Sequence, residues 1–392
     1  MSEKSSYHAG RHFLQIPGPS NVPDRVLRAI AQPTIDHRGP GFARLTFRIQ
    51  EKLAPVFNTK SPVFIFPASG TGGWESSLLN TVSPGDTVLA FETGHFATLW
   101  KNVAVKLGLE VIWVTGDWRR GIDAAIVEEQ LKADKSHTIK AVLAVHTETS
   151  SGATSNILRI RHAMDAANHP ALLLVDAVSS LACSEVCHDD WGVDVTISAS
   201  QKGLMLPPGL CFNAVSEKAL AVGKNSKFHH SYVRWSEMLE INKKGYFPYT
   251  PATNLLYGLD EALSMLHEEG LSNVFKRHAR LAEATRRAVA AWGLHNLCVN
   301  PAEYSNSTTA VMMPVGHDAD NLRAIILDRF DMSLGMGLGK IKGTVFRIGH
   351  IGDFNTLMLA GTLCGVEMGL HLAGVPHKPG GINAALQYLA EK

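Results

Sequence analysis

The chain has 392 residues, 45% hydrophobic and 19% charged, with a formal net charge of +1. That composition argues against wholesale disorder, and the near-zero charge excludes long-range attraction to nucleic acid or an anionic membrane. No run approaches the roughly 18 consecutive apolar residues of a membrane span, so any anion must be gripped locally.

Residues 1–11 are polar and carry no secretory apolar stretch, and the final Ala-Glu-Lys is not a peroxisomal address. Five scattered cysteines (Cys183, Cys187, Cys211, Cys298, Cys364) suggest neither a disulfide framework nor a zinc site. Cys183 and Cys187 can sit one helical turn apart, yet no second ligand pair accompanies them. A reducing cytosol is the expected setting. Ile16-Pro17-Gly18-Pro19-Ser20 reads as a rigid turn laid across a surface, closing an N-terminal segment of residues 1–20.

Short apolar runs follow at 63–66, 87–91, 110–114, 141–146, 171–178, 193–198 and 209–215. They are rich in Val, Ile, Leu and Phe and read as strands buried on both faces. Helical stretches at 124–133 and 160–167 lie between them. The alternation predicts an α/β fold, with a mainly parallel sheet flanked by helices. Past residue 254 the texture changes. Leu259, Ala262, Leu263 and Leu266 share one helix face, Gly270 closes that helix, and Ser272 or Asn273 can cap the next, which runs towards Trp292. Strands at 308–313 and 344–348 and a helix at 357–370 complete a smaller α+β domain. The predicted division is a large domain over 21–265 and a small one over 266–392.

Asp176 closes an apolar run, so its carboxylate emerges at the carboxyl end of a strand, where open α/β sheets bind ligands. One strand later comes Ser200-Gln201-Lys202-Gly203. Singly, such an Asp is often a helix cap and such a Lys a solvated group. On neighbouring strand ends they can converge on one cofactor. Pyridoxal 5′-phosphate (PLP) needs that pair: an amine for an imine, and an acid beside the pyridine nitrogen.

The run Pro67-Ala68-Ser69-Gly70-Thr71-Gly72-Gly73-Trp74-Glu75 follows one strand and precedes a helix, which suits a phosphate cradle. It matches neither a Walker A loop nor G-x-G-x-x-G, and a plain tight turn is the alternative. Phe96, past another strand end, can stack on a flat heterocycle or pack in the core. Arg347, inside the apolar run Phe346-Arg347-Ile348-Gly349, needs an anion: a substrate carboxylate gripped bidentately, or a structural ion pair.

Pro17-Gly18-Pro19, Ser69-Gly70-Thr71-Gly72, Thr147-Glu148-Thr149-Ser150-Ser151-Gly152, Val175-Asp176-Ala177-Val178-Ser179-Ser180, Ser200-Gln201-Lys202-Gly203, Pro207-Pro208-Gly209 and Phe346-Arg347-Ile348-Gly349 occur in the order of class V aminotransferases. From about residue 12 to about residue 388 the chain resembles the alanine/serine–glyoxylate aminotransferase family, most of all its bacterial serine–glyoxylate branch. The resemblance implies a PLP fold-type I homodimer with a seven-stranded sheet and active sites at the subunit interface. It implies that Lys202 carries the cofactor as an imine and relays the proton, that Asp176 pairs with the pyridine nitrogen, and that Phe96 stacks on the ring beside Val178. Ser69, Gly70, Thr71 and Gln201 would hold the phosphate, with Thr250 reaching the phosphate of the other subunit. Arg347 would bind the substrate carboxylate, helped by Ser150 and the backbone at Gly18. Phe247 stands where mammalian members carry a tyrosine, and Asp36-His37-Arg38 resembles a motif near the substrate mouth.

The expected reaction passes an amino group from a small L-amino acid to glyoxylate, with serine as donor ahead of aspartate and alanine. A class V lyase or desulfurase is one rival, though a desulfurase needs a mobile reactive cysteine, and Cys183, Cys187 and Cys211 lie beside or within buried runs. A nucleotide-binding α/β protein without imine chemistry is the other.

Overall fold

The computed structural model describes residues 9–391. Most of the polar start at 1–11 lies outside the described residues, as does Lys392. Strand β1 (Phe13–Gln15) opens the chain, followed by helices Asp24–Ile30 and Pro40–Val56. Then come β2 (Val63–Phe66), β3 (Thr87–Phe91), β4 (Glu110–Val114), β5 (Ile139–Val145), the hairpin of β6 (Thr147–Glu148) and β7 (Ala153–Thr154), β8 (Leu172–Asp176), β9 (Val195–Ala199) and β10 (Cys211–Val215). After two long helices, Thr253–Glu269 and Leu271–Ala291, the chain forms β11 (His295–Asn296), β12 (Thr308–Met312), β13 (Met332–Met336) and β14 (Val345–Gly349).

Seven strands make one sheet in the order β2-β10-β9-β8-β5-β3-β4, parallel except for β10, which runs against both neighbours. After β3 the chain steps outward to β4 and then returns to the far side of β3 as β5. The order therefore reverses there, and the loops after β3 and β5 part to leave a crevice at their carboxyl ends.

The run at 171–178 stops as a strand at Asp176, because the Val178 N–H turns back to the Asp176 carboxylate at 2.7 Å. One expectation is corrected: β4 is the sheet's edge, so Glu110 and Ile112 face solvent and the strand is not buried on both faces. The central strands β8, β9 and β10 are buried throughout.

On one face the helix Pro40–Val56 turns Phe42, Leu45, Ile49 and Leu53 onto Leu256, Leu259 and Leu263 of the helix Thr253–Glu269. Each such side chain contributes about 1.5–3 kcal/mol on burial. On the other face Trp74 and Trp100 stack at 6.0 Å.

The second sheet, β1-β13-β14-β12-β11, is antiparallel apart from the β1–β13 pair. The N-terminal segment is thus stitched to the C-terminal sheet. The expected division at residue 266 falls inside the helix Thr253–Glu269, which ends at Gly270 (φ +82°). The same glycine starts the next helix, so neither Ser272 nor Asn273 caps it; Asn273 instead donates to the Glu269 carbonyl at 2.8 Å. Cys183 and Cys187 lie outside any helix. Among the described residues no helix is long and apolar enough to cross a membrane, and no group of three His, Cys, Asp or Glu side chains is placed to hold a metal.

Candidate active site

Asp176, the last residue of β8, stands at the carboxyl edge of the sheet and is 3% exposed. Its oxygens accept from the Val178 N–H at 2.7 Å and from the Trp74 indole Nε1 at 3.0 Å. Burial pushes its pKa up to about 7, aided by the charge of Glu148 and opposed by both hydrogen bonds and by Lys202. An acid held there is poised to pair with a cation.

Lys202 lies in the turn just past β9, the strand next to β8. It is buried, and its Nζ donates to the Pro17 carbonyl at 2.5 Å. Burial lowers its pKa to about 8, helped by the nearby charge of Arg347 and opposed by Asp176 and Cys183. Amine and acid thus stand at neighbouring strand ends, each within the other's field. Gly18 covers the amine with φ +109°, and a Cβ there would fall 2.4 Å from the Lys202 Nζ. Only glycine fits.

The glycine-rich run is itself the start of a helix, Gly70–Leu79. Its N-cap, Ser69, makes no side-chain capping bond, so the first N–H groups stay open for an anion, with Ser69 and Thr71 exposed beside them. A Cβ on Gly70 would meet Val178 Cγ2 at 2.9 Å and Ala199 Cβ at 3.9 Å, so the cradle abuts the ends of both central strands. Gln201 adds a buried Oε1 with no hydrogen-bond partner among the described residues.

Across the crevice Phe96 is half-buried near the start of the helix His95–Lys106. Ser150 is fully buried; its Oγ accepts from the His95 N–H at 2.9 Å and donates to Glu148 at 2.7 Å. Arg347 enters from β14 at 6% exposure and donates to the carbonyls of Met336 at 2.8 Å and Thr149 at 3.0 Å. Among the described residues no carboxylate lies within ion-pair distance of it, although the charge of Glu148 favours the cation. Burial lowers its pKa to about 10, and it remains a cation.

Thr250 stands apart: it is exposed, in the stretch before the helix Thr253–Glu269, and makes no hydrogen bond to the other candidates. Phe247 packs its edge on Phe42 at 6.0 Å. In Asp36-His37-Arg38 the Arg38 N–H donates to the Asp36 carboxylate at 2.9 Å, and His37 Nε2 is buried without a partner among the described residues.

Sequence reasoning did not single out Trp74, Glu148 or the Pro17 carbonyl. Trp74 carried a signal, since it lies one helical turn past Gly70. The carbonyl carried none. Burial pushes the thiols of Cys183 and Cys211 up to about 12, so neither offers a reactive thiolate beside Lys202.

Residues 12–336 match the family described as Aminotransferase class-V. This chain is a class V aminotransferase. A serine–glyoxylate aminotransferase of Methylorubrum extorquens is 49% identical to it over 97% of each chain. An L-aspartate–glyoxylate aminotransferase of Paracoccus denitrificans is 42% identical over 95% of this chain and 94% of its own. Among solved structures, a pyridoxamine–pyruvate aminotransferase from Mesorhizobium loti superposes with a TM-score of 0.91, at 28% identity and 98% coverage of both chains. The aminotransferase is accordingly an α/β chain of PLP fold type I, and a PLP-dependent transaminase. Its residues fit that cofactor, with a lowered amine, a raised acid, an uncapped helix start and a buried Gln201 Oε1 that has no hydrogen-bond partner among the described residues, all at or beside the ends of the central strands.

Proposed function

We propose that this aminotransferase moves the amino group of a small L-amino acid, serine foremost, to glyoxylate, giving hydroxypyruvate and glycine. Bound PLP supplies an aldehyde that takes amines and a ring that stores the electron pair left by a departing α-proton. The chain's own residues do the rest. Lys202 would anchor the aldehyde carbon, and its amine, with a pKa of about 8, would then take and return the substrate proton. Asp176 would face the pyridine nitrogen, where sharing a proton offsets the cost of its burial. Phe96 and Val178 would hold the ring, and Ser69, Gly70, Thr71 and Gln201 the phosphate. Arg347 would grip the α-carboxylate beside the Gly18 backbone, while Ser150 supports that corner through His95 and Glu148.

The reading includes a homodimer in which exposed Thr250 reaches the phosphate held by a second copy. It also includes the division into a large domain (21–265) that anchors the cofactor and a small one (266–392) that brings Arg347. All five cysteines are free thiols, which supports a reducing, cytosolic setting.

The observation that carries the reading is the buried Arg347, which has no carboxylate within ion-pair distance among the described residues and whose charge is felt at Lys202. Glyoxylate has no side chain, so a small pocket selects it by excluding larger 2-oxo acids. Aspartate is the second donor to weigh, because the Paracoccus relative bears that name. Measuring kcat/KM for serine, aspartate and alanine with glyoxylate decides among them. Serine is expected to give the largest value; a larger one for aspartate overturns the choice of donor.

A further inference from the structure

Glu148 is 1% exposed and sits on β6, in the loop that follows β5. Its carboxylate accepts from the backbone N–H groups of Phe96 at 3.3 Å, Ala97 at 3.0 Å and Ser150 at 3.0 Å, and from Ser150 Oγ at 2.7 Å. In all four of these hydrogen bonds the carboxylate is the acceptor. The helix His95–Lys106 starts at Gly94, which has no side chain to cap it. A Cβ on Gly94 would fall 2.3 Å from Glu148 Cγ. Glycine therefore leaves room for an acid from a distant loop to supply the cap, and the helix's positive end favours that charge.

One carboxylate thus joins the two walls of the crevice. On one side it fixes the turn that carries Phe96. On the other it fixes Ser150, and the intervening Thr149 offers the carbonyl that takes Arg347 at 3.0 Å. An ordinary helix cap does not need to be buried or shared in this way. We infer that Glu148 is a positioning residue, which sets the Phe96 ring against the cofactor plane without touching the cofactor itself.

This rests on reading Phe96 as the ring's stacking partner, and the test separates the two claims. Wild type, Glu148→Gln, Phe96→Leu and the double variant are compared as holoenzymes. Glutamine keeps the shape but turns an N–H towards the Ala97 N–H. The readouts are the circular dichroism of bound PLP near the visible edge, the PLP Kd, kcat, and KM for the amino donor. Glu148→Gln is expected to reduce the dichroic band per bound cofactor and to weaken PLP binding by ~10-fold, the loss of a charge-assisted bond with a donor left facing a donor. It should lower kcat by ~10-fold while KM changes by less than ~3-fold, because alignment and not ground-state binding is lost. The double variant should be no more than ~2-fold worse than Phe96→Leu alone, since both changes break one arrangement.

Effects that multiply in the double variant overturn the inference, as does a Glu148→Gln protein with wild-type dichroism and Kd. If Glu148→Gln does not fold, Glu148→Asp, one methylene short of spanning both donors, is expected to shift the same readouts in the same direction. Wild-type values there count against the role. A silent Phe96→Leu overturns the stacking reading, and this inference with it; an impaired Phe96→Leu beside a silent Glu148 variant overturns the inference alone.

Discussion

Burial acts on Asp176 and Lys202 in opposite directions, raising the acid to about 7 and lowering the amine to about 8. For the acid, a folded pKa above the free value of 3.8 means that its favourable contribution is complete below pH 3.8 and is lost as pH rises through 7. In the cofactor-free protein, Asp176→Asn removes that loss. The unfolding free energy of the variant minus that of wild type, from urea titrations, should grow by about 2–4 kcal/mol between pH 4 and pH 8. A flat difference contradicts the burial argument. The same variant should lose ~100-fold or more in kcat. For the amine, only the neutral form attacks an aldehyde. Capture of PLP by the cofactor-free protein should therefore accelerate with pH and level off above about 8, whereas a midpoint near the ordinary 10.5 contradicts the lowered value. Arg347→Lys keeps the charge but loses the planar fork, so KM for the amino donor should rise by ~10-fold or more in steady-state assays. Asp176, Lys202 and Arg347 were legible in the sequence because each is a charged residue in or beside an apolar run. Glu148 was not: Thr147-Glu148-Thr149 reads as a polar loop, and its importance comes from N–H groups fifty residues away.

At the scale of elements, the long Val- and Leu-rich strands were readable to within two residues, since burial on both faces leaves an unbroken apolar run. β4 misled because its composition matches theirs while its position is the sheet's edge. β1, β6, β7 and β11 are two or three residues long and have no periodicity to read; pairing with distant strands makes them. β1 has the greatest consequence. Its parallel pairing with β13 carries the chain on to Pro17 and Gly18, which lie over the Lys202 amine. Gly18→Ala must therefore move either that segment or the lysine. Steady-state kinetics should show kcat reduced by ~10-fold or more, from misplacement of about an ångström, while far-ultraviolet circular dichroism stays unchanged. Wild-type kcat would mean that the segment does not set the amine's position.

For the whole molecule, the crevice draws Lys202 and Asp176 from the seven-stranded sheet and Arg347 from the five-stranded one, so the site exists only when both are packed together. Thr250, the proposed phosphate contact, is exposed and lies apart from the other candidates in a single chain. If a second copy brings it to the phosphate, sedimentation should report a mass of two chains, and Thr250→Ala should weaken PLP binding by about fivefold, the loss of one hydrogen bond. An active monomer contradicts this part. Reducing the PLP-loaded protein with borohydride, digesting it, and locating the modified peptide by mass spectrometry tests whether Lys202 carries the cofactor. One pyridoxyl phosphate group per chain is expected, on Lys202 and absent from Lys202→Ala. Modification of another lysine, or none at all, would contradict it.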